Sequence, residues 1–140
     1  MSTWTYKGKD FTSDDIGDYI GFVYIITDKQ TNKKYVGKKK FISKTRRAPL
    51  KGKKRKRIFI KESDWMDYFG SSEEVKALVE EHGRDNFHRE ILHLCRALGE
   101  MSYLELKEQV DREVLLSDEY HNAFIGCKIH ATHVKGLKKS

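Results

Sequence analysis

The sequence predicts a small α/β domain in which a central antiparallel sheet of about three strands is flanked by helices. Three observations predict it. Runs rich in β-branched and aromatic residues stand at 21–27, 34–38 and 87–95. Two Ser-x-x-Glu pairs, Ser71 with Glu74 and Ser102 with Glu105, form capping boxes that each open an amphipathic stretch. The chain has 140 residues, enough for one domain with one core and no need of disulfides.

In chain order, residues 1–19 show little periodicity and read as a loosely held arm. Gly21-Phe22-Val23-Tyr24-Ile25-Ile26-Thr27 reads as a buried strand. Asp28 to Lys33 supplies turn residues, and Lys34-Tyr35-Val36-Gly37-Lys38 returns as its hairpin partner. A basic loop over 38–57 contains the single proline, Pro49. Glu62 to Phe69 fits a short helix. The box at Ser71 opens a helix with Val75, Leu78 and Val79 on one face, stopped by Gly83 in a left-handed conformation. Phe87 to Cys95 reads as a third strand, and the box at Ser102 opens a helix to about Leu116. Residues 123–129 are strand or coil, and 131–140 form a basic tail. The order is β-β-loop-α-β-α within a single domain spanning 1–140.

Charge is unevenly spread. The formal net charge is +7, yet residues 33–61 hold 15 Lys or Arg and no Asp or Glu, leaving −8 on the remaining 111 residues. A segment so cationic repels itself unless it is solvated or faces a polyanion, and phosphate backbones are the expected partner. No apolar run approaches the ~20 residues of a spanning helix, so no membrane partner is expected. The first residues lack the apolar core of a secretion signal, and Cys95 and Cys127 are expected as reduced thiols in the cytoplasm of the cell or host. Cys127, His130 and His133 match no zinc-finger spacing and lack a fourth ligand.

The hairpin carries the chemistry. Gly21-Phe22-Val23-Tyr24 followed by Tyr35-Val36-Gly37 resembles the signature of GIY-YIG endonucleases. Tyr68-Phe69-Gly70-Ser71-Ser72, His82-Gly83, Asn86-Phe87 and Tyr120-His121-Asn122 extend the resemblance over roughly residues 20 to 126. It implies the GIY-YIG nuclease fold and a compact homing- or phage-type enzyme. The activity implied is hydrolysis of double-stranded DNA with one Mg²⁺ or Mn²⁺ ion, by a monomer or a DNA-induced dimer. Such hydrolysis needs an activated water, a stabilised phosphorane and help for the leaving oxygen.

The resemblance further implies a tyrosine pair, Tyr24 and Tyr35, an arginine on the phosphate and a glutamate on the ion, with Asn122 orienting the site. Lys38, Lys39 and Lys40 could supply the field a tyrosine needs to act as a base. For the metal, Glu105, Glu108 and Glu113 compete. At about 100° per residue with Tyr103 at zero, Leu106, Val110 and Val114 mark the core direction. Glu108 then lies at its border, and Glu105 turns to solvent, its capping role accounting for it. Glu108 is the expected ligand. Arg46, Arg47, Arg55 and Arg57 compete for the phosphate. Arg57, beside the return to order at Ile58, is favoured over Arg46 and Arg47, which match the shorter family spacing. Lys38, Lys39, Lys40, Arg46, Arg47, Lys53, Lys54 and Arg55 are expected to grip DNA. The competing readings are a nucleic-acid-binding module that has lost catalysis and an RNA-binding, ribosome-associated protein.

Overall fold

The computed structural model describes residues 3–52, 57–123, 125 and 136–137, without the side chains of 44–47 and 57–59. Its strands are β1 (Trp4–Tyr6), β2 (Lys9–Asp10), β3 (Gly21–Asp28), β4 (Lys34–Lys40), β5 (Ile42–Arg47), β6 (Arg57–Glu62) and β7 (Phe87–Cys95). Helix α1 spans Glu73–His82, α2 spans Leu98–Asp111, and short 3-10 turns stand at Ser13–Asp15, Trp65–Asp67 and Arg84–Asn86.

The main sheet has five strands in the order β2-β1-β7-β3-β4, more than the expected three. It is also mixed rather than purely antiparallel, because β1 runs parallel to β7, with Thr5 opposite Glu90. The N-terminal segment is therefore part of the sheet and not a loose arm. Trp4 explains why: it is 0% exposed, and its indole N–H donates to Trp65 O at 2.7 Å. Burying an indole with its one donor satisfied is a strong anchor for a three-residue strand.

Every side chain of β3 from Phe22 to Ile26 is buried, because both faces of the sheet are covered. Alternation sends Phe22, Tyr24 and Ile26 into one core with Trp4, Phe41, Trp65 and Ile91. Leu78 and Val79 of α1 pack on that core. Val23 and Ile25 point the other way, to Val36, Cys95, Met101 and Val114 under α2. Cys95 is a free thiol, and burial pushes its pKa up to about 12.

Helix boundaries moved where side chains had better partners. The α1 N-cap is Ser72, whose hydroxyl accepts from Val75 N, so a single cap one residue later replaces the expected Ser71–Glu74 box. Gly83 ends α1 at φ +87° and ψ 155°, a positive-φ stop but an extended rather than left-handed one. Helix α2 starts four residues before Ser102, behind an N-cap at Ala97, and ends at Asp111 rather than near Leu116. In the segment 62–69, Glu62 ends β6 and the rest forms no helix beyond the Trp65–Asp67 turn.

The basic segment also departs from the expected loop. Strands β5 and β6 pair with each other alone, from Ile42 opposite Glu62 to Arg47 opposite Arg57. Lys53, Lys54, Arg55, Cys127, His130, His133 and nearly all of the tail lie outside the described residues. No helix among the described residues is long and apolar enough to cross a membrane.

Candidate active site

Strand β4 is a sheet edge, and the outward peptide groups of an edge need partners. The chain supplies them from two places. Val36 N donates to Asn122 Oδ1 at 3.0 Å. Val36 O accepts from Asn122 Nδ2 at 2.8 Å and from Gln109 Nε2 at 3.2 Å. One residue earlier in the outward series, Lys34 N donates to Glu119 O and His121 N donates to Lys34 O. Segment 119–122 thus closes the edge of Tyr35-Val36-Gly37 and fixes where its side chains project. Asn122 spends its amide on this clamp, so it positions β4.

Because both ends of the Asn122 amide are used, Asn122→Asp should be costly despite its unchanged shape. It would set a carboxylate oxygen against Val36 O in place of a donor. The expected loss is about 1–3 kcal/mol, read as a lower denaturant midpoint at unchanged slope.

The tyrosines meet on one face of the hairpin. The register sets Tyr24 opposite Gly37 and Ile26 opposite Tyr35, and the two phenol rings lie 6.3 Å apart. Tyr24 is almost fully buried and hydrogen-bonds Tyr68 through its hydroxyl. Burial raises its pKa well above the ordinary tyrosine range, and the Tyr68, Tyr35 and Glu105 oxygens push the same way. Tyr35 is half-exposed, with its hydroxyl 3.0 Å from Ser71 Oγ. Burial raises its pKa too, against the opposing hydrogen bond from Ser71. Two glycines make room for this pair. A Cβ on Gly37 would strike the Tyr24 hydroxyl, and one on Gly70 would sit 3.3 Å from the Tyr35 ring. Gly21, one place early in the motif, is also needed: its Cβ would lie 2.8 Å from Lys39 O. Phe22 lies on the same side of β3 as Tyr24 and fills the core.

Beside Tyr35 opens a cleft of ≈ 450 Å³. Tyr35 and Lys38 line it from β4, Ser71 and Ser72 from the start of α1, and Glu105 and Gln109 from α2. Lys38 Nζ donates to Ser102 Oγ at 2.8 Å and stands 4.0 Å from Glu105 Oε1. The Glu105 side chain is 16% exposed. Burial raises its pKa, partly offset by the Lys38 charge. The cleft therefore brings a phenol, an ammonium and a carboxylate to one wall.

Glu105, and not Glu108, is the glutamate of this cleft. Glu108 lies on the flank toward β7, with Oε1 3.4 Å from His93 Nε2 and Oε2 3.2 Å from Arg112 Nε. The helical-wheel phase fails because apolar residues do not mark the inward face here. Val110 is 55% exposed, while Met101 and Gln109 are buried. The inward ridge runs Met101-Glu105-Gln109 at i, i+4 spacing, polar where it meets the cleft and the strand edge. Ser102 serves Lys38 rather than a helix start. The signal that could have found Glu105 is that spacing: an acid and an amide one turn apart, followed by an asparagine.

Among the described residues, the cleft lining contains no arginine. Arg57 opens β6 as expected, but it pairs with Arg47 at the end of the ribbon, five register positions from the Ile42–Glu62 base. At about 3.4 Å per residue this is some ~17 Å along the strand. Arg46 pairs with Ile58 beside it. The three arginine side chains lie outside the description. Lys39 is engaged by Asp64 at 2.7 Å and lies over the Tyr68 ring at 4.3 Å, while Lys40 is exposed.

The family described as "Putative endonuclease segE, GIY-YIG domain" matches residues 4–129. Neither the curated proteins nor the solved structures contain a match to the chain. The matched span takes in β1 through the Asn122 clamp and so covers the whole cleft and both tyrosines. This chain belongs to the GIY-YIG endonuclease family, with its nuclease domain in residues 4–129.

Proposed function

We propose that the protein hydrolyses phosphodiester bonds of double-stranded DNA with one divalent ion, and that the cleft at Tyr35, Lys38 and Glu105 is where it does so. The observation that carries this reading is the convergence of those three groups on one wall. A phosphorane carries extra negative charge, so a fixed ammonium and a phenol donor favour it over the ground state.

The donor chemistry suits a hard ion. Among the described residues no group of three or more His, Cys, Asp or Glu stands together as a metal cage. A single sheltered carboxylate, Glu105, fits Mg²⁺ or Mn²⁺, which keep waters and take phosphate oxygens as their other ligands. When bound, the ion would polarise the phosphate and acidify a water. Lys38 holds the Glu105 carboxylate toward the cleft and adds positive charge for the phosphate. Tyr35 keeps its proton near neutral pH, because its pKa lies above the usual value. Its hydroxyl orients the attacking water or donates to a phosphate oxygen, with Ser71 setting its direction. Tyr24, hydrogen-bonded to Tyr68, packs beside it in the core. In this reading Tyr24 and Asn122 position the site, and a nuclease domain with its own cationic ribbon suits a phage or mobile-element enzyme.

Supercoiled plasmid tests the proposal. Relaxation is expected with Mg²⁺ or Mn²⁺ and not with chelator, and Tyr35→Phe is expected to lower the rate by about 10²-fold. Plasmid left intact by metal-loaded protein that still retards it in a gel would make this a non-catalytic binding module.

A further inference from the structure

The charge on this chain is concentrated in one segment of sequence. Residues 33–61 carry 15 cations and no acid, and ten of those cations fall in 42–61. Without 42–61 the chain is formally −3, so the rest offers DNA no net attraction. Within that stretch Ile42–Arg47 and Arg57–Glu62 form a two-stranded ribbon, β5 with β6, separate from the main sheet. Six register pairs give it about 20 Å of length.

Among the described residues, the bonds that tie the ribbon to the body stand at its base. Ser63 Oγ donates to Lys40 O at 2.6 Å and Ser13 Oγ to Glu62 Oε1 at 2.6 Å, and Trp65 Nε1 donates to the same carboxylate at 2.9 Å. Glu62 is the one acid on these strands, and it is spent on that attachment. Beyond the base, Lys51 and Lys61 are exposed, as are the apolar Leu50 and Ile60. A single residue, Phe41, joins β5 to β4, the strand that brings Tyr35 and Lys38 to the cleft. Whatever the ribbon grips is thereby held at a set distance from those groups.

We propose that the β5–β6 ribbon is the element that recognises duplex DNA, by lying in the major groove. The proposal rests on DNA being the substrate. Paired strands about 5 Å apart, with side chains on both faces, fit the ~12 Å major groove and not the ~6 Å minor groove. Lysines and arginines reach the flanking phosphates, and exposed Leu50 and Ile60 offer apolar contact to thymine methyls.

Binding is measured on a Glu105→Gln background without divalent ion, so that no cleavage intervenes. Threonine at Lys44, Arg46, Arg47 and Lys61 keeps strand propensity and removes four charges. The slope of log K against log salt should become shallower by about 0.9 per lost phosphate contact, and affinity should fall by ~10²-fold. Glutamine at Lys7, Lys9, Lys76 and Lys107 on the body should leave the slope unchanged. Equal losses from the two sets would overturn the proposal. If the strand variant melts early, Lys51→Glu on the turn gives the same test with a smaller change. Dimethyl sulfate then reads the groove. Ribbon-dependent protection of guanine N7 is expected, and protection confined to adenine N3, or a ribbon-dependent preference for duplex RNA, overturns the assignment. Wild-type protein that cuts plasmid while the ribbon variant binds like its parent refutes the ribbon alone. Ribbon-dependent protection by a protein that never cuts refutes the nuclease reading alone.

Discussion

Glu105→Gln is expected to remove divalent-dependent cleavage by about 10²- to 10³-fold, while Glu108→Gln leaves it within a few-fold. The two glutamates sit three residues apart on α2, and their surroundings separate them. Glu105 lines the cleft with Tyr35, and among the described residues its ion-pair partner is Lys38 at 4.0 Å. Glu108 is neutralised by Arg112 and faces His93, so its charge is already committed. Stability should divide them in the opposite sense. The folded-state pKa of Glu105 is raised, so the fold favours its protonated form. That preference is fully present below the ordinary glutamate pKa and is lost as pH rises through the folded value. At neutral pH the ionised carboxylate therefore weakens the fold, and Glu105→Gln should melt no lower than wild type. Glu108→Gln breaks partly exposed pairs and should cost about 0.2–1 kcal/mol. The same shift predicts that the acid limb of cleavage against pH lies above the usual carboxylate range, since a ligand must be deprotonated. Full activity in Glu105→Gln, with loss in Glu108→Gln, would return the metal to the other flank.

The parts of this molecule legible in sequence are those whose partners lie close by. β3 and β4 form a hairpin closed by a short turn, and β7 and α1 carry their own periodicity and end signals. β1 was not legible. It has three residues and pairs in parallel with a strand more than eighty positions away, as in Trp4 opposite Arg89. Local patterning carries no mark of such a pair. The phase of α2 misled for a physical reason. A wheel assumes that a helix turns its apolar face inward, but α2 covers a polar cleft and an open strand edge. Gln109 is buried because Val36 O needs a donor, and Glu105 is sheltered because it walls the cleft. The basic run reads as a loop because like charges dominate it. Only the pairing of Ile42–Arg47 with Arg57–Glu62 shows a ribbon. For the candidate site, the motif names Tyr24, Tyr35 and Asn122, which the fold gathers around β4. It could not convey that Asn122 clamps β4, or that Lys38 rather than an arginine lines the described cleft.

Gly37→Ala should cost the protein both stability and turnover. Gly37 has no positive φ, so the backbone tolerates alanine there and the obstacle is space alone. The added carbon would collide with the Tyr24 hydroxyl and stand 2.7 Å from Tyr24 Cζ and 3.1 Å from Tyr35 Cε1. Tyr24 cannot yield easily, because its ring packs edge-on against Trp4 at 5.3 Å and Tyr68 at 6.0 Å. Tyr35 is the softer of the two, being half-exposed at the cleft. It should swing away and lose its contact with Ser71. Overpacking of this kind costs about 1–3 kcal/mol. A displacement of ~1 Å at a reacting group lowers turnover by roughly 10²-fold. Adding Tyr24→Phe should recover part of the stability, because the nearest contact goes, but not all of it, because Cζ remains. Gly8→Ala is the contrast. Gly8 has φ +83° with nothing within 4 Å of a Cβ, so alanine there is strained without touching the cleft or the ribbon. It should lower the melting temperature and leave kcat alone. Unfolding midpoints and plasmid cleavage on the same samples separate the two. Wild-type turnover in Gly37→Ala would mean that the close approach of these phenols to the strand has no part in the chemistry.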